Sequence, residues 1–191
     1  MTILPQVRSM TYRDGTFIIP PVLSVKTDKH AINAYRELQT LIPCVKAGAI
    51  FHLIFEIDPF LASQSYRLSI DKDKILIHHQ DEAGAFYAIK TLKQLLSSKN
   101  ELPCLIIDDE PDLKIRGYLL DISRNKIPTL KTLTGLIDLL ADLKYNHFEL
   151  YVEGFSFLYP SFKELYTDET PITIDDFKKL EKYCTQRCID F

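Results

Sequence analysis

Arg124, Glu149 and Glu153 are the residues of this 191-residue chain whose types and placing suit a polar ligand. A guanidinium makes paired hydrogen bonds to neighbouring hydroxyls or to a carboxylate. Arg124 follows the apolar run Tyr118-Leu-Leu-Asp-Ile122, so it reads either as such a group or as a surface charge or loop clamp. With a period of two, His147, Glu149, Tyr151 and Glu153 share one face of a strand, and Phe148, Leu150 and Val152 share the other. A parallel strand with both faces covered is normally apolar on both. The polar face therefore has two readings: it lines a cavity with Glu153 at the C-terminal rim, where barrel sites lie, or it is the solvated side of an edge strand.

Other chemistry-bearing residues are poorer candidates. His78 and His79 are neighbours in an extended stretch and point to opposite faces, so they cannot share one metal, and His30 and His52 have no partner at ligand spacing. Cys184 and Cys188 lie four apart on an expected helix, which suggests either a metal or redox pair or two buried reduced thiols. No second Cys or His pair accompanies them, so the thiol reading is preferred and no metal is expected. There is no glycine-rich phosphate loop and no Gly-x-Ser-x-Gly elbow, and no cofactor is implied.

Charge and hydropathy exclude further classes. The net charge is −3, with 23 basic and 26 acidic residues and no block of five like charges, which does not suit a nucleic-acid partner. The apolar run Ala49 to Phe55 is short and broken by His52, so no membrane span is expected. The first ten residues lack a basic stretch followed by an apolar core, so no secretory signal is read and a cytoplasmic location is expected.

These residues need elements to hold them. Up to about residue 110 the pattern reads β-α-β-β-β-α-β, a small sheet with helices packed on it. Phe17 to Lys26 is an edge strand or two short ones around Pro20-Pro21. Asp28 is the expected N-cap of a helix from His30 to about Ile42, with Ile32, Tyr35, Leu38 and Leu41/Ile42 as its apolar stripe. Ala49 to Ile57 is a strand, and Ser65 to Ile70 with Lys74 to His79 form a hairpin. Asp81 caps a helix from Glu82 to Leu96, polar residues 97–101 close the module, and Leu102 to Ile107 is a last strand.

After the acidic boundary 108–112, strand and helix alternate. Ile115 to Ile122 reads as a strand buried on both faces, and Pro128 to Leu143 as a helix with proline at its first position. Asn146 to Glu153 is the second strand. Ile174 to Arg187 is a helix with a capping box at Thr173 and Asp176, and residues 189–191 begin a third strand. Two such βα units cannot close a barrel, so truncation is expected, or else a partner surface from another chain. An oligomer stays open.

The run Arg116-Gly117-Tyr-Leu-Leu-Asp121-Ile-Ser123-Arg124, followed by Pro128 and the Leu/Ile-rich helix ending at Leu143-Lys-Tyr-Asn146, resembles the start of the family 20 glycoside hydrolase barrel, that of the β-N-acetylhexosaminidases. Tyr66-Arg-Leu and Gly84-Ala-Phe-Tyr87-Ala-Ile-Lys-Thr91-Leu-Lys-Gln94-Leu-Leu are similar to that family's accessory α+β domain. The resemblance implies an accessory domain over 1–110 and, over 111–191, the first two βα units of an incomplete (β/α)8 barrel. It implies a retaining exo-hydrolase acting on terminal β-linked N-acetylglucosamine or N-acetylgalactosamine. In that family the substrate's own 2-acetamido oxygen attacks the anomeric carbon, with an Asp orienting it and an adjacent Glu protonating the leaving oxygen.

The resemblance matches Arg124 to an arginine that bonds the 3- and 4-hydroxyls of the terminal sugar, and Glu153 to an acid at the end of strand two. The family's His-Trp-His run with paired aspartates is replaced by Glu149-Leu-Tyr151-Val-Glu153-Gly154, and its histidine after the site arginine is Asn125. The catalytic Asp-Glu pair is expected beyond Phe191. Of the Asp-Glu pairs present, Asp81-Glu82 and Asp109-Glu110 belong to the first module and its boundary, and Asp168-Glu169 to a loop. The chain alone is therefore expected to be inactive. The rival reading is a non-catalytic glycan- or protein-binding module with a vestigial barrel segment.

Overall fold

The computed structural model describes residues 2–96, 100–124, 126–166 and 170–191. Ser97 to Lys99 of the expected closing stretch, Asn125 and the Asp168-Glu169 pair lie outside the described residues. The chain forms two units, Met1–Asp112 and Leu113–Phe191.

The first unit is a seven-stranded mixed sheet with two helices. Its elements are β1 (Ser9–Ile18), β2 (Leu23–Lys26), α1 (Ile32–Leu41), β3 (Cys44–Val45), β4 (Leu53–Ile57), β5 (Tyr66–Ile70), β6 (Ile75–His79), α2 (Glu82–Leu95) and β7 (Glu101–Asp109). The strand order is β1-β7-β5-β6-β4-β2-β3. The β5–β6 hairpin pairs Ile70 with Ile75, and β6 runs parallel to β4. The alternation read from the sequence appears as burial: Tyr66, Leu68 and Ile70 on β5, and Ile75, Ile77 and His79 on β6, all point into the core.

Several boundaries differ from expectation for identifiable reasons. The Phe17–Lys26 region is two strands, and the first starts at Ser9, because β7 supplies backbone partners on both sides of an irregularity between Tyr12 and Thr16. The strand expected from Ala49 begins only at Leu53. Asp28 does not cap α1, whose N-cap Ala31 has no side-chain cap bond. Its carboxylate instead accepts from the backbone N–H of His30 at 2.7 Å and meets Nε2 of the fully buried His79 at 2.9 Å. Ile32 is exposed, and Asn33, Ala34 and Leu38 are the buried residues of α1.

Asp81 caps α2 as expected, accepting from the Gly84 N–H at 2.9 Å. Lys90 on α2 is buried and bonds Glu37 of α1 at 2.6 Å, tying the two helices together.

The second unit is β8 (Gly117–Asp121), α3 (Leu130–Asp142), β9 (His147–Tyr151), a short 3-10 helix (Pro160–Leu165) and α4 (Ile174–Thr185). β8 and β9 are parallel, with Asp121 opposite Tyr151. Strand β8 is not buried on both faces: Leu119 is 54% exposed and Tyr118 40%, whereas Ile122 is buried. Among the described residues β9 is the strand beside β8, and the face carrying Leu119, Glu149 and Tyr151 is open to solvent. On the other face Phe148 is fully buried, stacked with Tyr118 at 6.4 Å and Phe191 at 5.6 Å. The expected third strand is reduced to one bridge, between His147 and Asp190.

Pro128 precedes the N-cap of α3 rather than occupying the first helical position. The cap is Thr129, whose hydroxyl accepts from the Thr132 N–H at 3.2 Å. Gly135 inside α3 is exposed, and a Cβ there meets nothing within 4 Å. Gly135→Ala should raise stability by about 0.5–1 kcal/mol, seen as a higher urea midpoint, because glycine in a helix interior loses more backbone entropy than alanine.

The capping box at α4 forms with Asp in the third position. Thr173 Oγ1 donates to Asp176 Oδ2 at 2.7 Å and accepts from the Asp176 N–H at 3.1 Å. The threonine hydroxyl chiefly holds the Asp176 carboxyl below its ordinary value of 3.8, with Lys179 adding to it. A depressed value in the fold stabilises above the ordinary value and is lost as pH falls through the folded one. Thr173→Ala should cost about 1 kcal/mol near neutral pH. That difference should shrink as pH falls through the folded value and the carboxylate becomes protonated in both states. Melting temperatures of both proteins at neutral and acidic pH measure it.

Candidate functional site

The C-terminal ends of β8 and β9 bring together five polar side chains. Parallel in-register pairing sets Asp121 beside Tyr151, and the Tyr151 carbonyl accepts from the Ile122 N–H at 3.1 Å. The chain then turns at Ser123, whose N–H donates to Asp121 Oδ1 at 2.8 Å. That turn presents Arg124 back toward the strand ends. Arg124 donates through Nη1 to Asp121 Oδ2 and through Nη2 to Glu153 Oε2, the latter at 3.1 Å. Tyr151 Oη donates to the other oxygen of Glu153, and the Arg124 guanidinium lies 5.5 Å from the Tyr151 ring centre. Ser123 Oγ accepts from the Glu153 N–H and donates to the Tyr151 carbonyl at 3.2 Å, which ties the two loops together. Buried Ser156 donates to the Glu153 carbonyl at 3.2 Å.

The electrostatics follow from this fork. The Ser123 N–H, with Arg124 beside it, holds the Asp121 carboxyl below the usual carboxylate range. The Arg124 guanidinium is held charged chiefly by its bond to Asp121, with Glu153 adding to it. The Tyr151 phenol is pushed up because it donates to the Glu153 carboxylate. A fixed cation between two fixed carboxylates offers donors and acceptors together, which suits neighbouring neutral hydroxyls.

Arg124 and Glu153 are thus brought into contact, but Glu153 stands on the loop after β9 rather than on the strand. Glu149 goes elsewhere: its carboxylate bonds His147 Nε2 at 2.7 Å. A strand of period two puts both acids on one face, but the strand ends at Tyr151 and only the loop carries an acid to Arg124. From the sequence, Asp121 and Ser123 are polar residues at a strand end and Tyr151 lies on a polar face, with no individual role assigned to any of the three. Their signals were the three-residue spacing of Asp121 and Arg124 and the two-residue spacing of Tyr151 and Glu153.

The acidic Asp-Glu pairs of the first unit have internal partners. Asp81 accepts from Ser63, Gln64 and Gly84, and Glu82 accepts from the Asn33 N–H. Asp109 accepts from the Tyr66 hydroxyl and the Arg8 N–H, and Glu110 pairs with Arg8. Cys184 is buried, which pushes its thiol up to about 12, while Cys188 lies past the end of α4 with φ of 56°. The helical spacing that would have paired the two cysteines therefore does not apply. Among the described residues no group of three or more His, Cys, Asp or Glu is placed to hold a metal, and no helix is long and apolar enough to cross a membrane.

A parallel β-α-β-α unit with an Arg-carboxylate fork at its strand ends, preceded in sequence by a sheet-and-helix unit, defines an α/β protein with a polar rim suited to hydroxyl-bearing ligands. Residues 1–110 match the family described as Glycosyl hydrolase family 20, domain 2. The chain belongs to glycoside hydrolase family 20. It is 35% identical over 108 residues to N,N'-diacetylchitobiase from Vibrio harveyi, covering 54% of this chain and 12% of that protein. It is 30% identical over 140 residues to a beta-hexosaminidase from Porphyromonas gingivalis, covering 68% of this chain and 18% of that one. It thus spans less than a fifth of either relative. The fold is like that of a GH20 exo beta-N-acetylglucosaminidase from Vibrio harveyi solved with N-acetylglucosamine, with a TM-score of 0.85 at 23% identity over 98% of this chain and 35% of that one.

Proposed function

We propose that these 191 residues are part of a retaining exo-β-N-acetylhexosaminidase that removes terminal β-linked N-acetylglucosamine or N-acetylgalactosamine, with the substrate's 2-acetamido group as the nucleophile. Residues 1–110 are the accessory domain, and residues 111–191 contribute the first two βα units of a (β/α)8 barrel. The carrying observation is the fork in which Arg124 is gripped by Asp121 and Glu153 at adjacent strand ends. In this reading Arg124 donates to the 3- and 4-hydroxyls of the terminal sugar, and Glu153 accepts from one of them. Glu149, paired with His147 on the same open face, is a further polar contact for the substrate rather than part of the Arg124 fork.

The pair that orients the acetamido group and protonates the leaving oxygen would come from a later strand, because the described Asp-Glu pairs serve caps and strand ends of the first unit. The chain by itself is then inactive. The intact mass of the natural gene product is the first measurement. A mass far above 22.1 kDa, with release of chromophore from a chromogenic N-acetyl-β-glucosaminide by the whole protein but not by residues 1–191, supports the hydrolase. A natural product of 22.1 kDa overturns it in favour of a binding module.

A further inference from the structure

We propose that Tyr151 is a positioning residue that holds the Arg124–Glu153 fork in the geometry that receives the sugar; the inference rests on the hydrolase reading above. Glu153 sits on a loop and its side chain is half exposed, so neither strand geometry nor packing fixes its carboxylate. Two donors do so instead, one to each oxygen: Arg124 Nη2 on Oε2 and Tyr151 Oη on Oε1. Without the phenol, Oε1 has no protein donor in this network and the carboxylate is held through Oε2 alone. An exposed ion pair alone orders a side chain weakly.

Tyr151 can act as the anchor because its own backbone is fixed. It is the last residue of β9, paired in register with Asp121, and its carbonyl accepts from both the Ile122 N–H and Ser123 Oγ. Its ring also lies 5.5 Å from the Arg124 guanidinium, within cation–π range. One side chain thus contacts both halves of the fork. Donors and acceptors set in advance spare the substrate the cost of ordering them.

The test is a double-mutant cycle in the full-length protein, assayed on a chromogenic N-acetyl-β-glucosaminide, with melting temperature as a fold control. Tyr151→Phe keeps the ring and removes the donor. It should lower kcat/KM by about tenfold, carried by a higher KM at nearly unchanged kcat, as for loss of a binding interaction common to ground and transition states. If Tyr151 acts through the fork, the same change in an Arg124→Ala background should cost less than about twofold. A wild-type Tyr151→Phe enzyme, or an equal loss in both backgrounds, overturns the positioning role while leaving the hydrolase reading intact. An Arg124→Ala protein with wild-type activity removes the site reading itself, a result that cannot be mistaken for failure of Tyr151 alone.

Discussion

Arg124→Ala in the full-length protein should lower kcat/KM on a chromogenic N-acetyl-β-glucosaminide by about a hundredfold or more, equivalent to roughly 2.7 kcal/mol. Two effects add. On the proposed reading, charge-assisted hydrogen bonds to sugar hydroxyls are lost, each worth up to about 3 kcal/mol. The two carboxylates that the guanidinium now bridges, Asp121 and Glu153, are also left facing each other without their shared cation. Arg124→Lys should recover little of the loss. A single ammonium on a flexible stem cannot donate in two directions as the planar fork does. A kcat/KM close to that of the parent would take Arg124 out of the sugar site.

The largest stability effect is expected at Gly84. This residue opens α2, and its N–H is held by the Asp81 cap. A Cβ there would stand 2.2 Å from the Ser65 carbonyl oxygen, a backbone atom that cannot swing aside. Ser65 is itself fixed, with its N–H and hydroxyl both bonded to the Ala62 carbonyl and its neighbour Gln64 bonded to Asp81. Gly84→Ala must therefore push α2 off the loop before β5, in a helix buried from Gly84 through Leu92. The expected cost is about 3 kcal/mol or more, in the range of changes that break core packing. For a unit of this size that is a fall in melting temperature on the order of 10 °C or more. Gly84→Ala and Gly135→Ala make opposite predictions for the same substitution. Thermal or urea unfolding of the two variants side by side would expose an error in either.

Much of the fold was legible because it depends on local rules. The alternation of Tyr66, Leu68 and Ile70 with polar residues specified a half-buried strand, and Asp71-Lys72-Asp73 placed its hairpin turn. Asp81, and Thr173 with Asp176, marked two helix starts correctly because a cap is an interaction between residues close in sequence. The family was legible too, since the run at Gly84–Leu96 lies within residues 1–110, which match domain 2 of that family.

What sequence could not supply were the choices made by distant partners. Asp28 had the right type and place to cap α1, but the buried imidazole of His79, 51 residues away, competes for its carboxylate. Ser9 to Thr16 gave no strand signal strong enough to extend β1, yet β7 pairs with most of it. At the site, Glu149 and Glu153 were equivalent by period, and only the end of β9 at Tyr151 separated them, sending one acid to His147 and the other to Arg124. By itself the sequence determined the family, the helix caps at Asp81 and Thr173, the hairpin, and Arg124 as a candidate at a strand end. Tertiary structure alone decided which acid meets that arginine and that Asp121, Ser123 and Tyr151 hold the pair, because parallel strands from separate parts of the chain must align before those side chains share a rim.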